Sequence, residues 1–163
     1  MPFHLDPRRA SELLSQTKSR GYSIATAESC TGGLIAASLA AVPGASASLE
    51  RGFVTYSNEA KTEMLGVPAD LIRNHGAVSR QVALAMVAGA LEHSRADIAV
   101  AVTGIAGPDG GTAEKPVGLV HIAAARRGGP TLHEEKRFGD VGRHEVQAET
   151  VAAAFDLMKR VLD

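Results

Sequence analysis

The stretch DIAVAVTG, at residues 97–104, is the sequence feature that most limits the folds open to this chain. Its residues are almost all apolar, which is typical of a strand buried on both of its faces. Strands of that kind occur mainly in parallel sheets with helices packed on either side. The stretch therefore predicts an α/β fold in which helices cover this strand on both faces.

Helical and extended patterns alternate along the rest of the chain. Apolar spacing, capping residues and glycine stops predict helices at residues 7–20, 32–41, 58–65, 68–74, 79–93 and 143–162. Further strands are predicted at YSIATA, LERGFVTYS, VGLVHIAAA and LHEEKRF, and RRGGP joins the last two by a connection short enough to require a hairpin. We therefore expect a three-layer α/β/α fold whose five-stranded, mostly parallel sheet carries one antiparallel strand.

Length and composition set broad limits on the function. The 163 residues fit one domain over residues 1–163. A net charge of −1, 4% aromatic residues and no tryptophan argue against a nucleic-acid partner and favour a small-molecule partner. The chain shows no signal-peptide pattern and no apolar run long enough for a membrane span, and its single cysteine excludes an internal disulfide. We therefore expect a cytoplasmic protein with no membrane partner, and a homodimer is common for domains of this size.

Three polar loops come directly after predicted strands. They are ESCTGG at residues 28–33, TYSNEAK at 55–61 and TGIAGPDGG at 103–111. Ligands of α/β sheets bind beyond the carboxyl ends of the parallel strands. Because those ends share one edge of the sheet, we expect the three loops to converge on one site.

The third loop is rich in glycine, with Gly104, Gly107, Gly110 and Gly111. Glycines permit positive φ and close backbone approach, so several N–H groups can surround an anion such as phosphate. The loop is neither a Walker motif nor a dinucleotide-binding turn, because no GK[ST] follows and it does not open a helix. A flexible connection between strands remains the alternative.

Ser29 occupies the place of a nucleophile, at a strand end where the amides of the following helix would point toward it. Serines before glycines are usually helix caps, so a base within reach is needed to support that role. Cys30 is the rival nucleophile by intrinsic reactivity, although a lone cysteine is more often a small buried apolar residue. Glu28 either orients a hydrogen-bond donor or interacts favourably with the helix dipole.

Lys61 is the candidate base. It falls in the first turn of the helix predicted at residues 58–65, where the helix dipole disfavours a cation. Burial and that dipole would lower the pKa of Lys61 and let it accept a proton from a hydroxyl. An exposed lysine paired with Glu59 or Glu63 is the alternative. Tyr56, at the preceding strand end, would relay a proton or hydrogen-bond the substrate, unless it is a half-buried strand residue.

Neither a metal nor a cofactor is expected. The six histidines form no HxH or HExxH pattern, and there is no CxxC pair. A Ser-His-Asp triad is not supported either, because the chain has no GxSxG motif.

The blocks TAESCTGG, GFVTYSNEAK, LGV, HGAVS, TGIAGPDGG and KPVGLV occur in this order along the chain. Together they resemble the CinA C-terminal domain family, the nicotinamide-mononucleotide amidases, over nearly the whole chain. The resemblance implies a metal-free enzyme that hydrolyses the carboxamide of nicotinamide mononucleotide to nicotinate mononucleotide and ammonia, in pyridine-nucleotide recycling. It also implies a fold like the anticodon-binding domain of some tRNA synthetases.

The resemblance also places functional residues on this chain. The serine, tyrosine and lysine of the family fall on Ser29, Tyr56 and Lys61. The closing helix of the family typically starts with an arginine, which matches Arg143, and carries another arginine one turn later. This chain has Gln147 there and departs from the family pattern at that position.

The expected reaction is acyl transfer to water. Ser29, deprotonated by Lys61, attacks the carboxamide carbon, and Tyr56 or Lys61 protonates the departing ammonia. Backbone amides near residues 30–33 would stabilise the oxyanion, while the glycine-rich loop and Arg143 would hold the 5′-phosphate. The residues expected to bind the substrate are Glu28, Cys30, Thr31, Gly32, Gly33, Thr103, Gly104, Ile105, Ala106, Gly107, Gly110, Gly111 and Arg143. The alternative function is that of a non-catalytic nucleotide-binding or competence-related interaction protein, in which the same loops form a sensor pocket.

Overall fold

The computed structural model describes residues 5–163. The helices are α1 (Pro7–Arg20), α2 (Leu34–Ala40), α3 (Asn58–Leu65), α4 (Ala69–His75), α5 (Arg80–Glu92) and α6 (Arg143–Arg160). The strands are β1 (Ile24–Glu28), β2 (Leu49–Val54), β3 (Ile98–Gly104), β4 (Leu119–Arg126) and β5 (Thr131–Arg137), and a short 3₁₀ helix, Ala45–Ala47, precedes β2. Among the described residues, no helix has both the length and the apolar character required to cross a membrane.

The five strands form one sheet in the order β2-β1-β3-β4-β5. β1 pairs in parallel with β2 and β3, whereas β4 pairs antiparallel with β3 and with β5. Four strands therefore point the same way and β4 alone runs against them. The predicted mostly parallel sheet with one antiparallel strand, closed by a β4–β5 hairpin, is confirmed.

Helices cover both faces of the sheet, as the apolar stretch DIAVAVTG predicted. α1, α2 and α6 pack on one face, against isoleucine and valine side chains such as Ile98, Val100 and Ile122. α3, α4 and α5 pack on the other face, where the strands present mainly alanines, among them Ala27 and Ala101. Because successive side chains of a strand point to opposite faces, both layers are anchored to the same buried strands. The result is the expected three-layer α/β/α arrangement.

Serine caps begin the two helices on either side of α4. The Ser57 hydroxyl accepts a hydrogen bond from the N–H of Ala60 at 3.0 Å, at the start of α3. Ser79 accepts one from the N–H of Val82 at 3.2 Å, at the start of α5. Both contacts satisfy an N–H group that the first turn leaves without a helical partner. Lys61 therefore lies in the first turn of α3, as predicted.

Helix α2 begins later than the sequence pattern predicted. Gly32 and Gly33 have φ angles of +58° and +104°, in the left-handed region that a right-handed helix excludes. The helix therefore starts at Leu34, and the two glycines form a turn between β1 and α2. The expectation of a helix from Gly32 was wrong at this end because the glycines serve the turn.

The carboxyl ends of β1, β2 and β3 meet at one edge of the sheet. From β1 the chain passes through α2 to β2 on one side, and then through α3, α4 and α5 to β3 on the other side. Such a reversal of strand order opens a crevice beyond the carboxyl ends, where ligands of open α/β sheets bind. All three predicted polar loops reach this crevice.

Candidate active site

A cavity of about 280 Å³ lies in this crevice. Ligand pockets in proteins measure about 300 to 1,000 Å³, so the cavity is close to the lower end of that range and suits a small molecule. It is lined by Ser29, Cys30, Tyr56, Asn58, Lys61, Ala77, Val78, Thr103, Gly104, Ile105, Ala106, Gly107, Asp109, Gly110 and Arg143. A wider depression of about 670 Å³ runs along the far side of the glycine-rich loop, but Ser29 and Lys61 do not line it.

Ser29 and Lys61 are in direct contact in the cavity. Ser29 directly follows β1, and Lys61 reaches it from the first turn of α3. The Nζ atom of Lys61 lies 2.9 Å from the Oγ atom of Ser29. Both side chains are buried, and Lys61 is only 1% exposed. Ser29 therefore has the base within reach that a serine nucleophile needs.

Backbone carbonyl groups surround the amino group of Lys61. Its Nζ atom donates to the carbonyl of Thr55 at 2.8 Å and to that of Tyr56 at 3.3 Å. Burial lowers the pKa of Lys61 below its ordinary value of 10.5, because a charged amino group is costly to remove from water. The alternative of an exposed, ion-paired lysine is wrong. A lowered pKa increases the neutral fraction of Lys61, which is the form that can accept a proton from Ser29.

Cys30 lines the same cavity, but its thiol is a poor nucleophile. Its side chain is buried, and burial raises the pKa of the thiol to about 12. Thiols react as thiolates, and a pKa raised in this way leaves very little thiolate at neutral pH. The environments of these two neighbouring residues therefore favour Ser29 over Cys30 as the candidate nucleophile.

The carboxylate of Glu28 caps α2 and does not line the cavity. It accepts hydrogen bonds from the N–H groups of Ile35 at 2.8 Å and Ala36 at 3.0 Å. The Thr31 hydroxyl donates to the same carboxylate at 2.6 Å. The α2 amides that we expected to point toward Ser29 are therefore used by Glu28. Of the two roles considered for Glu28, the structure shows the favourable interaction with the helix N-terminus.

Some of the residues expected to bind the substrate lie outside the cavity lining: Glu28, Thr31, Gly32, Gly33 and Gly111. The N–H of Gly32 donates to the carbonyl of Ser29 at 3.1 Å. That amide is therefore unavailable to an oxyanion. Within the segment expected to stabilise the oxyanion, Cys30 is the residue that lines the cavity.

Tyr56 and Arg143 form an exposed rim of the cavity. Tyr56 is 57% exposed, and its hydroxyl accepts a hydrogen bond from the Nη2 atom of Arg143 at 2.7 Å. The Nη1 atom of Arg143 donates to the carbonyl of Gly107, also at 2.7 Å. One guanidinium group thus joins the segment after β2, the glycine-rich loop and the start of α6.

The glycine-rich loop contributes mainly backbone and small side chains to the cavity. Gly107 and Gly110 have positive φ angles of +82° and +93°, which the loop needs to turn around the cavity. At the base of the loop, the Thr103 hydroxyl donates to the carbonyl of Ala77 at 2.9 Å. This contact fixes the connection between α4 and α5 against the end of β3.

Sequence reasoning missed four lining residues: Asn58, Ala77, Val78 and Asp109. Asn58 and Asp109 lie inside two of the predicted polar loops, so those loops carried a signal for them. Ala77 and Val78 belong to the block HGAVS, which is part of the family resemblance, but their apolar side chains suggest no chemistry of their own. Their place in the cavity depends on how α4 and α5 pack, which no local pattern reveals.

Gln147 supports the turn that carries Ser29. Its Nε2 atom donates to the carbonyl of Cys30 at 3.0 Å, while its Oε1 atom is buried without a hydrogen-bond partner among residues 5–163. Gln147 does not line the cavity. At the position where the family pattern has a second arginine, this chain therefore has a residue that contacts the backbone next to Ser29.

The histidines between residues 5 and 163 all lie outside the cavity lining. His121 and His133 stack on each other, with ring nitrogens 2.9 Å apart. Over the same residues, the structure contains no group of three histidine, cysteine, aspartate or glutamate side chains arranged to hold a metal ion.

The sequence model of the CinA C-terminal domain matches residues 7–162. The chain belongs to the CinA C-terminal domain family. A CinA-like protein of Citrifermentans bemidjiense is 52% identical over 145 residues, which cover 89% of this chain and 34% of that protein. A putative competence-damage inducible protein of Symbiobacterium thermophilum is 58% identical over 122 residues, which cover 75% of this chain and 28% of that protein. This CinA-family chain thus spans about a third of the length of the curated relatives that it matches.

A solved structure supports the same family assignment. The competence/damage inducible protein CihA from Agrobacterium tumefaciens has 52% sequence identity with this CinA-family chain and superimposes with a TM-score of 0.93. The similarity covers 94% of this chain and 93% of CihA. The fold described above is therefore shared by a family member of nearly the same extent.

Proposed function

We propose that this CinA-family domain hydrolyses the carboxamide of nicotinamide mononucleotide to nicotinate mononucleotide and ammonia. The observation that carries the proposal is the 2.9 Å contact between Lys61 Nζ and Ser29 Oγ in a ligand-sized cavity. A hydroxyl nucleophile next to a buried lysine of lowered pKa is an arrangement suited to acyl transfer. The substrate itself comes from the family resemblance.

In the first step, neutral Lys61 accepts the proton of Ser29 while the serine oxygen attacks the carboxamide carbon. A neutral amino group has two N–H bonds and one lone pair. The carbonyls of Thr55 and Tyr56 can accept hydrogen bonds from these two N–H groups. The lone pair is then left to accept the proton of Ser29. The N–H of Cys30 is the backbone donor proposed for the oxyanion of the tetrahedral intermediate.

In the second step, the intermediate collapses and its C–N bond breaks. Lys61 returns the proton to the departing nitrogen, which leaves as ammonia, while the Tyr56 hydroxyl, at the rim beside Arg143, would hydrogen-bond the substrate. Water then attacks the acyl-Ser29 ester, and Lys61 takes one proton from it and returns a proton to the Ser29 oxygen. The balance is one amide and one water consumed, with one carboxylic acid and one ammonia produced.

The rim of the cavity would hold the part of the nucleotide that does not react. Arg143 carries a permanent positive charge there, and the glycine-rich loop offers backbone groups. A phosphate bound at this rim would help to position the carboxamide near Ser29. This division assigns the chemistry to the buried residues and the affinity to the exposed ones.

Ammonia release by the metal-free protein tests the proposal. The full chain, treated with a chelator, should release ammonia from nicotinamide mononucleotide, and Ser29→Ala should reduce the rate by about 10³-fold or more. Binding of the mononucleotide to Ser29→Ala, measured by calorimetry, should stay within a few fold of the wild type. Ser11→Ala, at an exposed serine of α1, is the matched control and should keep full activity.

A different outcome would favour the alternative function. Relatives of this chain are named competence-damage inducible proteins, and those names describe no chemical activity. Wild-type protein that binds the mononucleotide but releases no ammonia would overturn the amidase proposal and support a nucleotide-sensing role. Full activity of Ser29→Ala would instead move the nucleophile to Cys30 or to a water molecule.

A further inference from the structure

Two blocks of the sequence, HGAVS at residues 75–79 and KPVGLV at residues 115–120, are joined by one side chain. The Nζ atom of Lys115 donates a hydrogen bond to the carbonyl of His75 at 2.7 Å. His75 is the last residue of α4, where helical carbonyl groups lack an N–H partner and the helix dipole favours a cation. The contact therefore ties the loop between β3 and β4 to the C-terminus of α4.

Gly76 makes room for this contact. A Cβ atom at Gly76 would lie 2.8 Å from the Nζ atom of Lys115, which is too close for the ammonium group to stay in place. The φ angle of Gly76 is +79°, a conformation that favours glycine. Two separate segments of the chain are thus complementary at this point, one by its charge and the other by its missing side chain.

Lys115 belongs to the loop between β3 and β4, which folds back on itself. At the base, Ile105 donates to the carbonyl of Leu119 at 2.9 Å, and Gly118 donates to that of Ile105 at 2.8 Å. Near the tip, the backbone of Lys115 exchanges hydrogen bonds with Thr112, at 2.8 Å and 3.0 Å. The outgoing limb, residues 105–110, lines the cavity with all of its residues except Pro108, and the returning limb, residues 112–117, carries Lys115.

The two limbs are packed tightly against each other. A Cβ atom at Gly107 would lie 2.6 Å from a methyl group of Val117, and one at Gly111 would lie 2.7 Å from the Val117 backbone nitrogen. With so little space between them, a displacement of the returning limb must move the outgoing limb as well. The hydrogen bond that holds Lys115 in place therefore also holds residues 105–110, which form part of the cavity wall.

Arg143 holds the same loop from the side of α6, through the carbonyl of Gly107. The two anchors differ in their relation to the cavity, because Arg143 lines it and Lys115 does not. In the proposed function, Arg143 gives up part of its hydrogen bonding within the protein and binds the substrate phosphate instead. Lys115 would then be the anchor that keeps its contact throughout the reaction.

We propose that Lys115 is a positioning residue that fixes the cavity-lining limb, residues 105–110, while Arg143 engages the phosphate. The proposal rests on the proposed amidase function for its kinetic consequence, but the anchoring itself does not depend on it. The loop holds the phosphate end of the substrate, so the loss of Lys115 affects substrates that carry a phosphate.

The experiment compares Lys115→Met and Lys115→Arg in the full chain, with Lys18→Met on α1 as the control for loss of an exposed lysine. Lys115→Met should raise KM for nicotinamide mononucleotide by about tenfold, the size expected for a charge-assisted hydrogen bond. For nicotinamide riboside, which lacks the phosphate, KM should change by less than about twofold. Lys115→Arg keeps the cation and should recover most of the loss.

A second measurement needs neither substrate nor activity. Amide hydrogen exchange within residues 105–117 should accelerate at least about tenfold in Lys115→Met and stay unchanged in Lys18→Met. Unchanged exchange would overturn the proposal even if the enzyme is active. Equal losses on the mononucleotide and the riboside would also overturn it, because they would indicate general damage to the fold. A wild type that releases no ammonia would end the amidase proposal, while the exchange measurement would still decide the role of Lys115.

Discussion

The contact between Ser29 and Lys61 and the contact between Arg143 and Tyr56 belong to one cavity but differ in exposure. The first pair is buried, and Lys61 also donates to fixed backbone carbonyls. The second pair is exposed, and the Arg143 guanidinium donates both to the tyrosine hydroxyl and to the part-buried carbonyl of Gly107. One end of the cavity is therefore fixed by the fold, while the other end can exchange its partners.

This difference fits the two tasks that the proposed function requires of the cavity. Reacting groups gain most from a geometry that is set before the substrate arrives, because no reorganisation is then needed during the reaction. A binding rim has to accept and release its ligand, so its contacts must be replaceable. The buried pair suits the first task and the exposed guanidinium suits the second.

Removing the proposed base at the buried end should have a larger effect than any substitution at the rim. Lys61→Met should reduce kcat by about 10²- to 10⁴-fold, the usual contribution of general base catalysis. In the wild type, kcat/KM should rise with pH as Lys61 loses its proton. Because burial lowers the pKa of Lys61, the midpoint of that rise should lie below 10.5. A pH–rate profile of ammonia release measures both the loss and the midpoint.

Lys61→Arg sharpens this test. Arginine keeps the positive charge and the hydrogen-bond donors but does not lose its proton in proteins. The variant should therefore remain inactive at every pH at which the fold is intact. Substantial activity of Lys61→Arg would show that residue 61 acts through its charge and that the buried end does not supply a base.

A smaller effect is expected at the exposed end. Arg143→Ala should lower kcat/KM for nicotinamide mononucleotide by about ten- to a hundredfold, which corresponds to a charge-assisted contact of about 1.5 to 3 kcal/mol. Nicotinamide riboside carries no phosphate, so its kcat/KM should hardly change. Steady-state kinetics on both compounds measure the difference.

Arg143→Lys serves as the matched variant for the exposed end. It keeps the charge, but it cannot hold Tyr56 and Gly107 with one planar group. We expect an intermediate loss on the mononucleotide. If Arg143→Ala impaired both compounds equally, Arg143 would support the fold or the carboxamide end, and the proposed division of the cavity would be wrong.

Much of the buried end could be predicted from the sequence because local rules specify it. Parallel strands place their carboxyl ends at one edge, which brings Ser29 close to the segment after β2. The Ser57 cap sets the start of α3, and Lys61 then falls in a first turn that usually favours acids. An unusual residue in a well-defined local position was the signal for the proposed base.

The remaining contacts depend on packing between distant elements. Glu28 had two acceptable roles in the sequence, and only the position of α2 shows that its carboxylate caps that helix. The hydrogen bond from Gln147 to the carbonyl of Cys30 requires α6 to lie against the turn after β1. No periodicity or capping rule specifies such a contact, because neither partner's local conformation depends on it.

The smallest effect is expected from substitution of Cys30. This substitution tests whether Cys30, which lines the cavity, also takes part in the chemistry. Cys30→Ala should keep kcat/KM within about threefold of the wild type, because a buried thiol with a pKa of about 12 supplies almost no thiolate at neutral pH. Its backbone N–H, proposed for the oxyanion, is unchanged by the substitution. The thiol of the native wild-type protein should also react slowly with an alkylating reagent and rapidly once the chain is unfolded, which mass spectrometry can follow. Fast alkylation of the folded protein, or loss of turnover in Cys30→Ala at unchanged thermal stability, would assign the nucleophile to Cys30 and remove Ser29 from the centre of the buried end.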